Sequence, residues 1–341
     1  MNPKSVELVQ KNSTVILRLD LDLPMSDGKI LDNSRLIKSL PTISLLLSKS
    51  CQLVIIGHLG RPETRDDKYS LKPVYLELIS LLSGSSPQNS IFLEDPSDPG
   101  PLTLALSQNQ IIFVENLRFW PDESKGVFTF LQPLIDQSQA FVNDAIASHY
   151  SSASTTLHHV LPGYYGLSFL VELQNLAKLA TCPRPLTLVL GGAKMDKLSY
   201  LPKLSSLADH ILIGGKLPQI IGHSREGGNL SNPKIYWASL TPDSFDIDAA
   251  SIAHFKQVID SSATILWSGA LGFYENPDFR TGTIEIAKAV ALSPATFKVI
   301  AGGDTAASIK DLGMLDKISF VCSGGGVLLE YLTKGTLPAL E

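Results

Sequence analysis

Short β-branched runs, each ending in a glycine or a polar residue and each followed by a helical pattern, recur along this 341-residue chain. Such runs are apolar on both faces, which is typical of strands in a parallel sheet that helices cover on both sides. We therefore predict an α/β protein with open parallel sheets. The predicted strands are residues 14–19, 52–57, 111–115, 140–144, 187–191, 210–214, 264–268, 297–301 and 318–322.

A segment in the middle of the chain, residues 166–181, has apolar side chains at helical spacing. It follows Pro162 and Gly163 and separates four predicted strands from five. Because a chain of this length accommodates two domains, we predict a helix that joins two α/β domains. Residues 221–245 lack any such rhythm and are predicted to be an irregular loop.

Charge and cysteine usage narrow the class of protein. The 28 Lys and Arg against 33 Asp and Glu give a net charge of −5, which disfavours a nucleic-acid protein that relies on a global basic field. Three widely separated cysteines favour neither a disulfide framework nor a metal pair. No apolar run long enough for a membrane span or a signal peptide occurs, so we expect a soluble cytoplasmic protein without membrane partners.

Charged residues follow each of the first four predicted strands. Ligands of open α/β sheets bind outside the carboxyl ends of the strands, so these residues are candidates for a binding site. Three arginines and a histidine gathered there are expected to form a positively charged basin for a carboxylate or a phosphate, because guanidinium groups bind such anions bidentately. The candidates are Asp20, Asp22, Arg35, His58, Arg61 and Arg118.

Glycine-rich turns follow the predicted strands of the second half. Glycine lets a phosphate approach the backbone, and the N–H groups of a helix N-terminus then bind it. Each turn alone is weak evidence, because strand-to-helix turns use glycine in any case. Together with two lysines and an acid they indicate a nucleotide site in which Asp304 holds Mg²⁺. The residues are Gly191–Lys194, Lys197, Gly214, Gly215, Gly303, Asp304, Thr305 and Ser323–Gly326.

A small-anion site in one half and a nucleotide site in the other favour phosphoryl transfer. Bringing two such sites together and excluding water promotes transfer over hydrolysis. We therefore expect a two-domain α/β enzyme that transfers a phosphoryl group between a small acid and a nucleotide.

An ordered set of motifs resembles the phosphoglycerate kinase family along nearly the whole chain. They are RLDLDLP with DGKI, DNSRLI, GHLGRP, KYSLKPV, ENLRF, FVNDA, LGGAK, IGGK, WSGALGFYE, AGGDTA and SGGGVLLEYL. The resemblance implies two Rossmann-like domains joined by a hinge helix. It also implies reversible phosphoryl transfer between 1,3-bisphosphoglycerate and ADP, giving 3-phosphoglycerate and Mg-ATP in glycolysis, by a monomer that binds no nucleic acid.

The resemblance also implies domain limits and residue roles. The N-terminal phosphoglycerate-binding domain would span 1–165, the hinge helix 166–181 and the C-terminal nucleotide-binding domain 182–325, with 326–341 returning to the first domain. Asp20, Asp22, Arg35, His58, Arg61 and Arg118 would face the phosphoglycerate. Arg35, Lys194, Lys197, Gly324 and Gly325 would be catalytic. Lys197, Gly214, Gly215, Glu275, Gly303, Asp304 and Thr305 would bind the nucleotide, Asp304 holding its magnesium.

In the N-terminal half, two stretches depart from the family pattern. Asp22 stands where the family has an asparagine, and an acid there should weaken the binding of an anion. Tyr150 and Ser152 replace an arginine and a histidine of a phosphate-gripping segment. Arg65 and Lys125 are the cations considered as substitutes, and losing the contact would cost roughly ten- to a hundredfold in affinity.

The C-terminal half departs in the nucleotide motifs. Ser268 and Ala270 stand where the family has Asn and Pro, residues 248–251 depart from its Gly-Pro-Lys-Thr-like turn, and the two lysines are three rather than four positions apart. Several tens of family residues are absent between Gly215 and residues 246–251, so the C-terminal domain is shortened. Two alternatives therefore stay open: a non-catalytic or nucleotide-binding-only descendant, and a kinase for another small carboxylate or phosphate.

Overall fold

The computed structural model describes residues 4–82, 89–147, 152–223 and 232–340. The chain divides into two compact units: unit 1 comprises Met1–Gln174 and Thr336–Glu341, and unit 2 comprises Asn175–Gly335. Each unit contains a six-stranded parallel sheet, which confirms the predicted α/β class. The limits of the two units fall later in the chain than the predicted domain limits at 165 and 326, which stay predictions.

Unit 1 contains a sheet in the order β5-β6-β4-β1-β7-β8 and a separate antiparallel hairpin, β2-β3. The strands are β1 (Thr14–Arg18), β2 (Met25–Ser26), β3 (Lys29–Ile30), β4 (Gln52–Ile56), β5 (Ser90–Leu93), β6 (Ile111–Val114), β7 (Ala140–Asn143) and β8 (Gly163–Tyr165). The helices are α1 (Ser34–Ser48), α2 (Lys72–Leu82), α3 (Pro99–Gln108), α4 (Pro121–Lys125), α5 (Gln132–Asp136) and α6 (Leu167–Ala177).

The central strand β1 shows why these runs are apolar throughout. Val15 and Leu17 pack into one apolar cluster with Leu36 of α1, whereas Ile16 packs into the cluster on the opposite face with Leu102 of α3. Strand β1 lies between β4 and β7: the chain first runs from β1 to the strands β4, β5 and β6 on one side, and it then crosses to β7 and β8 on the other side. The carboxyl end of β1 is therefore the switch point at which open α/β sheets bind ligands.

Unit 2 contains a sheet in the order β11-β10-β9-β12-β13-β14. The strands are β9 (Leu186–Leu190), β10 (His210–Ile213), β11 (Ile235–Trp237), β12 (Thr264–Ser268), β13 (Phe297–Ala301) and β14 (Phe320–Cys322). The helices are α7 (Asp196–Ser199), α8 (Leu201–Leu207), α9 (Leu217–His223), α10 (Ala249–Asp260), α11 (Thr281–Leu292), α12 (Gly303–Asp311) and α13 (Gly325–Lys334). Here the switch point lies at β9, between β10 and β12.

All nine predicted strands are present, but the sequence did not predict the edge strands β5, β8 and β11. These strands are short and partly exposed, so they lack the uninterrupted apolar run of a central strand. The irregular loop predicted for 221–245 is wrong at 221–223, which end α9, and at the edge strand β11, whereas residues 238–245 form neither a helix nor a named strand. Residues 224–231 lie outside the described residues.

The helix predicted over 166–181 is confirmed as α6, which a turn of 3₁₀ helix extends over Lys178–Thr181. Among the residues that the structure describes, no helix has the length and apolar character needed to cross a bilayer.

Candidate functional site

In unit 1, arginine side chains converge around His58 at the carboxyl ends of the central strands. His58 is 8% exposed, and its pKa lies well below the usual value because of burial first and then the charges of Arg118, Arg18, Arg35 and Arg61. The imidazole is therefore neutral at pH 7. The structure brings the predicted arginines together around His58, and the positive charge of this group, called the basin below, comes from arginines alone; Arg18 also belongs to it, although it is not among the residues predicted from the sequence.

Arg35 lies in the first turn of α1, beside the end of β1. Its Nη1 donates to Asp20 Oδ1 at 2.9 Å and to the Asp22 carbonyl at 2.7 Å. Burial raises the pKa of Asp20, and the adjacent Arg35 opposes that shift. The Arg35 side chain remains 28% exposed, so these contacts orient it and leave part of it open to a ligand.

Asp22 has a second contact on the other side of the basin. Its Oδ1 accepts a hydrogen bond from the Gly60 N–H at 2.8 Å, and Arg118 Nη1 donates to the Gly60 carbonyl. The loop that carries His58 and Arg61 is thus fixed by both of its Gly60 backbone groups. The acid at position 22 is a structural acceptor as well as a negative charge beside the arginines of the basin.

Asn116 connects the same loop to the turn that carries Arg118. The amide is fully buried and donates to the carbonyls of Leu59 at 2.8 Å and Tyr69 at 2.9 Å, and its Oδ1 accepts from the Arg118 N–H at 3.1 Å. Asn116 belongs to the ENLRF motif, but the motif alone does not show this role. The available signal was an amide residue two positions after a buried strand and directly before a turn, because buried amides require partners.

The segment that lacks the family arginine is only partly described. Residues 148–151, which include His149 and Tyr150, lie outside the described residues. Arg65 and Lys125, the cations considered as substitutes, each have an acidic partner, Glu94 at 3.5 Å and Asp122 at 3.9 Å. Both pairs are largely exposed, so they are weak and do not preclude contact with a ligand.

In unit 2, the ammonium group of Lys197 points back onto the sheet. It donates to the carbonyls of Gly191 at 2.8 Å and Ser268 at 3.0 Å, at the ends of β9 and β12. Burial lowers the pKa of Lys197 to about 8, with a smaller lowering by Lys194. Most Lys197 side chains therefore carry a proton at pH 7.

The turn that carries Lys194 differs from the predicted one. The glycine-rich turn is predicted to lead directly into a helix N-terminus, but Lys194 is exposed and precedes α7, which begins at Asp196, so the two lysines do not lie on one helix. Glycine and turn residues occupy 191–195, and that backbone does not begin the helix at Lys194. Both lysines nevertheless lie close enough to Asp304 for their charges to lower its pKa.

Asp304 and Thr305 lie in the first turn of α12. Burial raises the pKa of Asp304, and the neighbouring Glu275 adds to the shift. Thr305 is fully buried, and its Oγ1 accepts from the Gly269 N–H at 2.9 Å, so this hydroxyl holds the end of β12 in the structure. Asp304, Glu275, Lys194 and Lys197 thus form one electrostatic group.

Several glycines of unit 2 are required by close packing against their neighbours. A Cβ at Gly191 would lie 2.5 Å from the Gly269 carbonyl, and one at Gly215 would lie 2.6 Å from the Gly192 nitrogen. A Cβ at Gly214 would meet Leu271 at 2.8 Å. These turns therefore need glycine whether or not a ligand binds.

Gly303 is different, because a Cβ there would meet no atom within 4 Å. Gly324 is the N-cap of α13, which begins at Gly325, and a Cβ at Gly325 would collide with the hydroxyl of Ser268. The N-terminus of α13 therefore lies directly beside the end of β12 and close to Lys197.

Comparison with known proteins agrees with the motifs. The family model described as "Phosphoglycerate kinase" matches residues 6–235 and 237–335. Phosphoglycerate kinase of Leptospira biflexa is 32% identical over 380 residues, covering 97% of this chain and 95% of the relative. That of Bdellovibrio bacteriovorus is 33% identical over 381 residues, covering 96% and 93%. Both alignments are longer than this 341-residue chain, so the relatives contain segments that it lacks.

Two solved structures are similar over almost their full length. Phosphoglycerate kinase from Pyrococcus horikoshii has a TM-score of 0.84 and 25% identity, covering 98% of this chain and 97% of the other. The Coxiella burnetii enzyme has a TM-score of 0.77 and 26% identity, covering 99% and 97%. The sequence motifs, the sheets of both units and these matches agree that the chain belongs to the phosphoglycerate kinase family.

Proposed function

We propose that this chain is an active phosphotransferase that moves a phosphoryl group reversibly between 1,3-bisphosphoglycerate and ADP, giving 3-phosphoglycerate and Mg-ATP. Membership of the phosphoglycerate kinase family supports this reaction. The observation that carries the proposal is the convergence of Arg18, Arg35, Arg61 and Arg118 on a neutral His58. A cytoplasmic monomer remains part of the proposal.

The basin in unit 1 suits a small, highly charged acid. Arg35 is oriented by Asp20 and remains partly exposed, which fits a cation that contacts the transferring group. Phosphoryl transfer spreads negative charge over the phosphoryl oxygens, so catalysis depends on positioning and electrostatic stabilisation. A neutral His58 donates or accepts a hydrogen bond there without adding charge.

The group in unit 2 suits a nucleotide with its magnesium. Lys194 and Lys197 would neutralise phosphates, Glu275 would hold the ribose, and the N-termini of α12 and α13 offer backbone N–H groups to anions. Asp304 fits Mg²⁺ because its carboxylate is a hard oxygen ligand with an acidic neighbour, Glu275, whose charge a cation would neutralise. When bound, Mg²⁺ would neutralise charge on the transferring phosphates.

A coupled assay in both directions tests the proposal. We expect turnover of 3-phosphoglycerate with Mg-ATP and of 1,3-bisphosphoglycerate with Mg-ADP. Calorimetry distinguishes the alternatives. Binding of Mg-ADP without 3-phosphoglycerate, and no turnover at millimolar substrate, would indicate the nucleotide-binding-only descendant. Turnover of a different carboxylated or phosphorylated acid in a substrate panel would indicate the other kinase.

Replacing Gly303 by alanine is expected to separate ligand binding from folding. Because a Cβ there meets no protein atom and the backbone is helical, Gly303→Ala should fold normally and be unchanged or slightly more stable. A phosphate that approaches the backbone of α12 would meet the new methyl group. We expect the Kd of Mg-ADP, measured by calorimetry, to rise about tenfold, equivalent to one lost hydrogen bond of ~1.4 kcal/mol.

Gly100→Ala is the matched control for that experiment. Gly100 also lies in the first turn of a helix, α3 of unit 1, and a Cβ there would have an ordinary contact with Asp98 at 3.4 Å. This variant should bind Mg-ADP like the wild type. An unchanged Kd in Gly303→Ala would show that the nucleotide does not approach the start of α12.

Replacing Asp22 by asparagine, the residue of the family pattern, is expected to tighten 3-phosphoglycerate binding. The amide oxygen of the new side chain would still accept the Gly60 N–H bond, so the loop should stay in place while one negative charge is lost. Removing about 1 kcal/mol of repulsion lowers the KM for 3-phosphoglycerate about fivefold. Asp27→Asn, in the exposed turn of the β2-β3 hairpin, is the control. Weaker binding in Asp22→Asn would contradict the repulsion.

A further inference from the structure

Arg18 is the one arginine of the basin that has almost no exposed surface. It ends β1 and is 1% exposed, so a ligand in the basin does not touch its guanidinium group. Burial lowers its pKa to about 10, and the charges of Glu123 and Asp20 oppose that shift. The side chain is therefore protonated at neutral pH. Its buried charge acts to lower the pKa of both His58 and Asp20.

A buried serine lies between Arg18 and the carboxylate of Glu123. Arg18 Nε donates to Ser154 Oγ at 2.9 Å, and the same hydroxyl donates to Glu123 Oε1 at 2.5 Å. Ser154 is 1% exposed and Glu123 is 3% exposed. The three side chains, Arg18, Ser154 and Glu123, form a buried relay of cation, hydroxyl and anion.

Glu123 also binds the backbone that surrounds the serine. Its Oε2 accepts from the Ser154 N–H at 3.0 Å, its Oε1 accepts from Ser152 Oγ at 2.8 Å, and its carbonyl accepts from the Ala153 N–H at 2.9 Å. Glu123 therefore fixes residues 152–154 onto α4. The carboxylate has a partner on each oxygen, as a buried charge requires.

Arg18 also binds the chain that leaves β7. Its Nη1 donates to the Ala145 carbonyl at 3.4 Å, and its own carbonyl accepts from the Asp144 N–H at 2.8 Å. The Arg18 side chain thus contacts Ala145 and Ser154, and its backbone binds Asp144, beside the strand end that continues into Asp20. Asp20 in turn binds Arg35. The relay is therefore connected to the Asp20–Arg35 pair, which is predicted to contact phosphoglycerate, through two residues of chain and through the charge of Arg18.

We propose that Arg18 is a positioning residue, which sets the affinity for phosphoglycerate through Ser154 and Glu123 by fixing the chain around the Asp20–Arg35 pair. This inference rests on the proposed function. A buried ion pair contributes little net stability because desolvation offsets the attraction, whereas breaking one is costly. Apolar residues of similar size would fill the same space without that cost. The buried charges lie next to the Asp20–Arg35 pair, so their role is better explained by positioning of this pair than by stability.

Ser154→Ala is the first test, because it breaks the relay and leaves both charges in place. Removing Arg18 itself would leave Glu123 buried without its counter-charge. We expect the KM for 3-phosphoglycerate to rise about tenfold in Ser154→Ala, as for a lost charge-assisted hydrogen bond. The kcat should change less than about threefold, and the KM for ATP should not change, since ATP is predicted to bind in unit 2.

Glu123→Gln provides a second and shape-conserving variant, which keeps an acceptor but removes the charge. A double-mutant cycle with Ser154→Ala should give a KM effect well below the product of the two single effects, because both act through one network. Ser138→Ala is the matched control. Ser138 is a buried serine before β7, at the opposite end of that strand, and should leave both KM values unchanged.

The outcomes separate the two proposals. A wild-type protein without turnover would overturn the proposed function. An active wild type whose KM for 3-phosphoglycerate stays within about twofold in both Ser154→Ala and Glu123→Gln would overturn only the role of Arg18. Equal effects of Ser154→Ala and Ser138→Ala, or multiplicative single effects, would show that the relay stabilises the fold without positioning the site. If Ser154→Ala does not fold, Glu123→Gln decides the question by the same comparison.

Discussion

Arg35→Ala is expected to lower kcat by about three orders of magnitude. In the proposed reaction Arg35 contacts the transferring phosphoryl group, whose charge grows more diffuse in the transition state, and comparable arginines contribute about 10³-fold or more. Its position beside Asp20 and its 28% exposed side chain fit that role. Steady-state kinetics in both directions measure the loss.

Two further variants separate chemistry from folding in that experiment. Arg35→Lys keeps the charge but loses the planar fork, so it should retain a fraction of the activity. Arg184→Ala removes another arginine that pairs with an aspartate, Asp209 at 3.0 Å, before β9 in unit 2. It should have wild-type kcat. Turnover of Arg35→Ala within about tenfold of the wild type would exclude Arg35 from the transition state.

Asp144→Asn is expected to raise the free energy of unfolding at pH 8. Asp144 is 5% exposed at the end of β7, and burial raises its pKa to about 7, an effect that contacts with Thr42, Phe169 and Ser168 oppose and Glu172 reinforces. Because the folded pKa lies above the unfolded value, folding binds a proton. The contribution of the protonated Asp144 carboxyl to the free energy of unfolding is therefore fully present below about pH 4, and it is lost as the pH rises to about 7.

The expected gain follows from that difference in pKa. Each unit of pKa corresponds to about 1.36 kcal/mol, so an uncharged side chain should stabilise unit 1 by about 2–4 kcal/mol at pH 8 and by little near pH 4. The amide oxygen of the substituted side chain would still accept the Phe169 N–H bond at the start of α6. Urea unfolding at both pH values, with hydrogen exchange of the α6 amides, provides the measurement.

Asp136→Asn, an exposed aspartate on α5, is the control and should change stability little at either pH. A loss of stability in Asp144→Asn at pH 8 would mean that the charge itself is needed. In that case the carboxylate would stabilise the N-terminus of α6 through the helix dipole by more than burial costs.

Much of the fold was predictable because the central strands are buried on both faces. That burial leaves continuous apolar runs such as 14–19 and 264–268, and their order along the chain gives the α/β class. The edge strands Gly163–Tyr165 and Ile235–Trp237 leave no such run, since each is only partly buried.

The candidate site was predictable in its membership and less so in its chemistry. The polar residues that end β1, β4 and β6 stand out in the sequence because each follows an apolar run. The sequence does not show that burial and four arginines keep His58 uncharged, or that Lys197 binds the carbonyls of Gly191 and Ser268. Nor does it distinguish Gly191, which packing requires, from Gly303, which packing leaves open.

The sequence by itself determined the α/β class, the family and the residues that collect at the strand ends, because these depend on local periodicity and on ordered motifs. The tertiary structure alone decided which charges are buried together. Arg18 and Ser154 are 136 positions apart, yet they share a hydrogen bond. Charge states and contacts of this kind depend on desolvation and distance in space, which no spacing along the chain records.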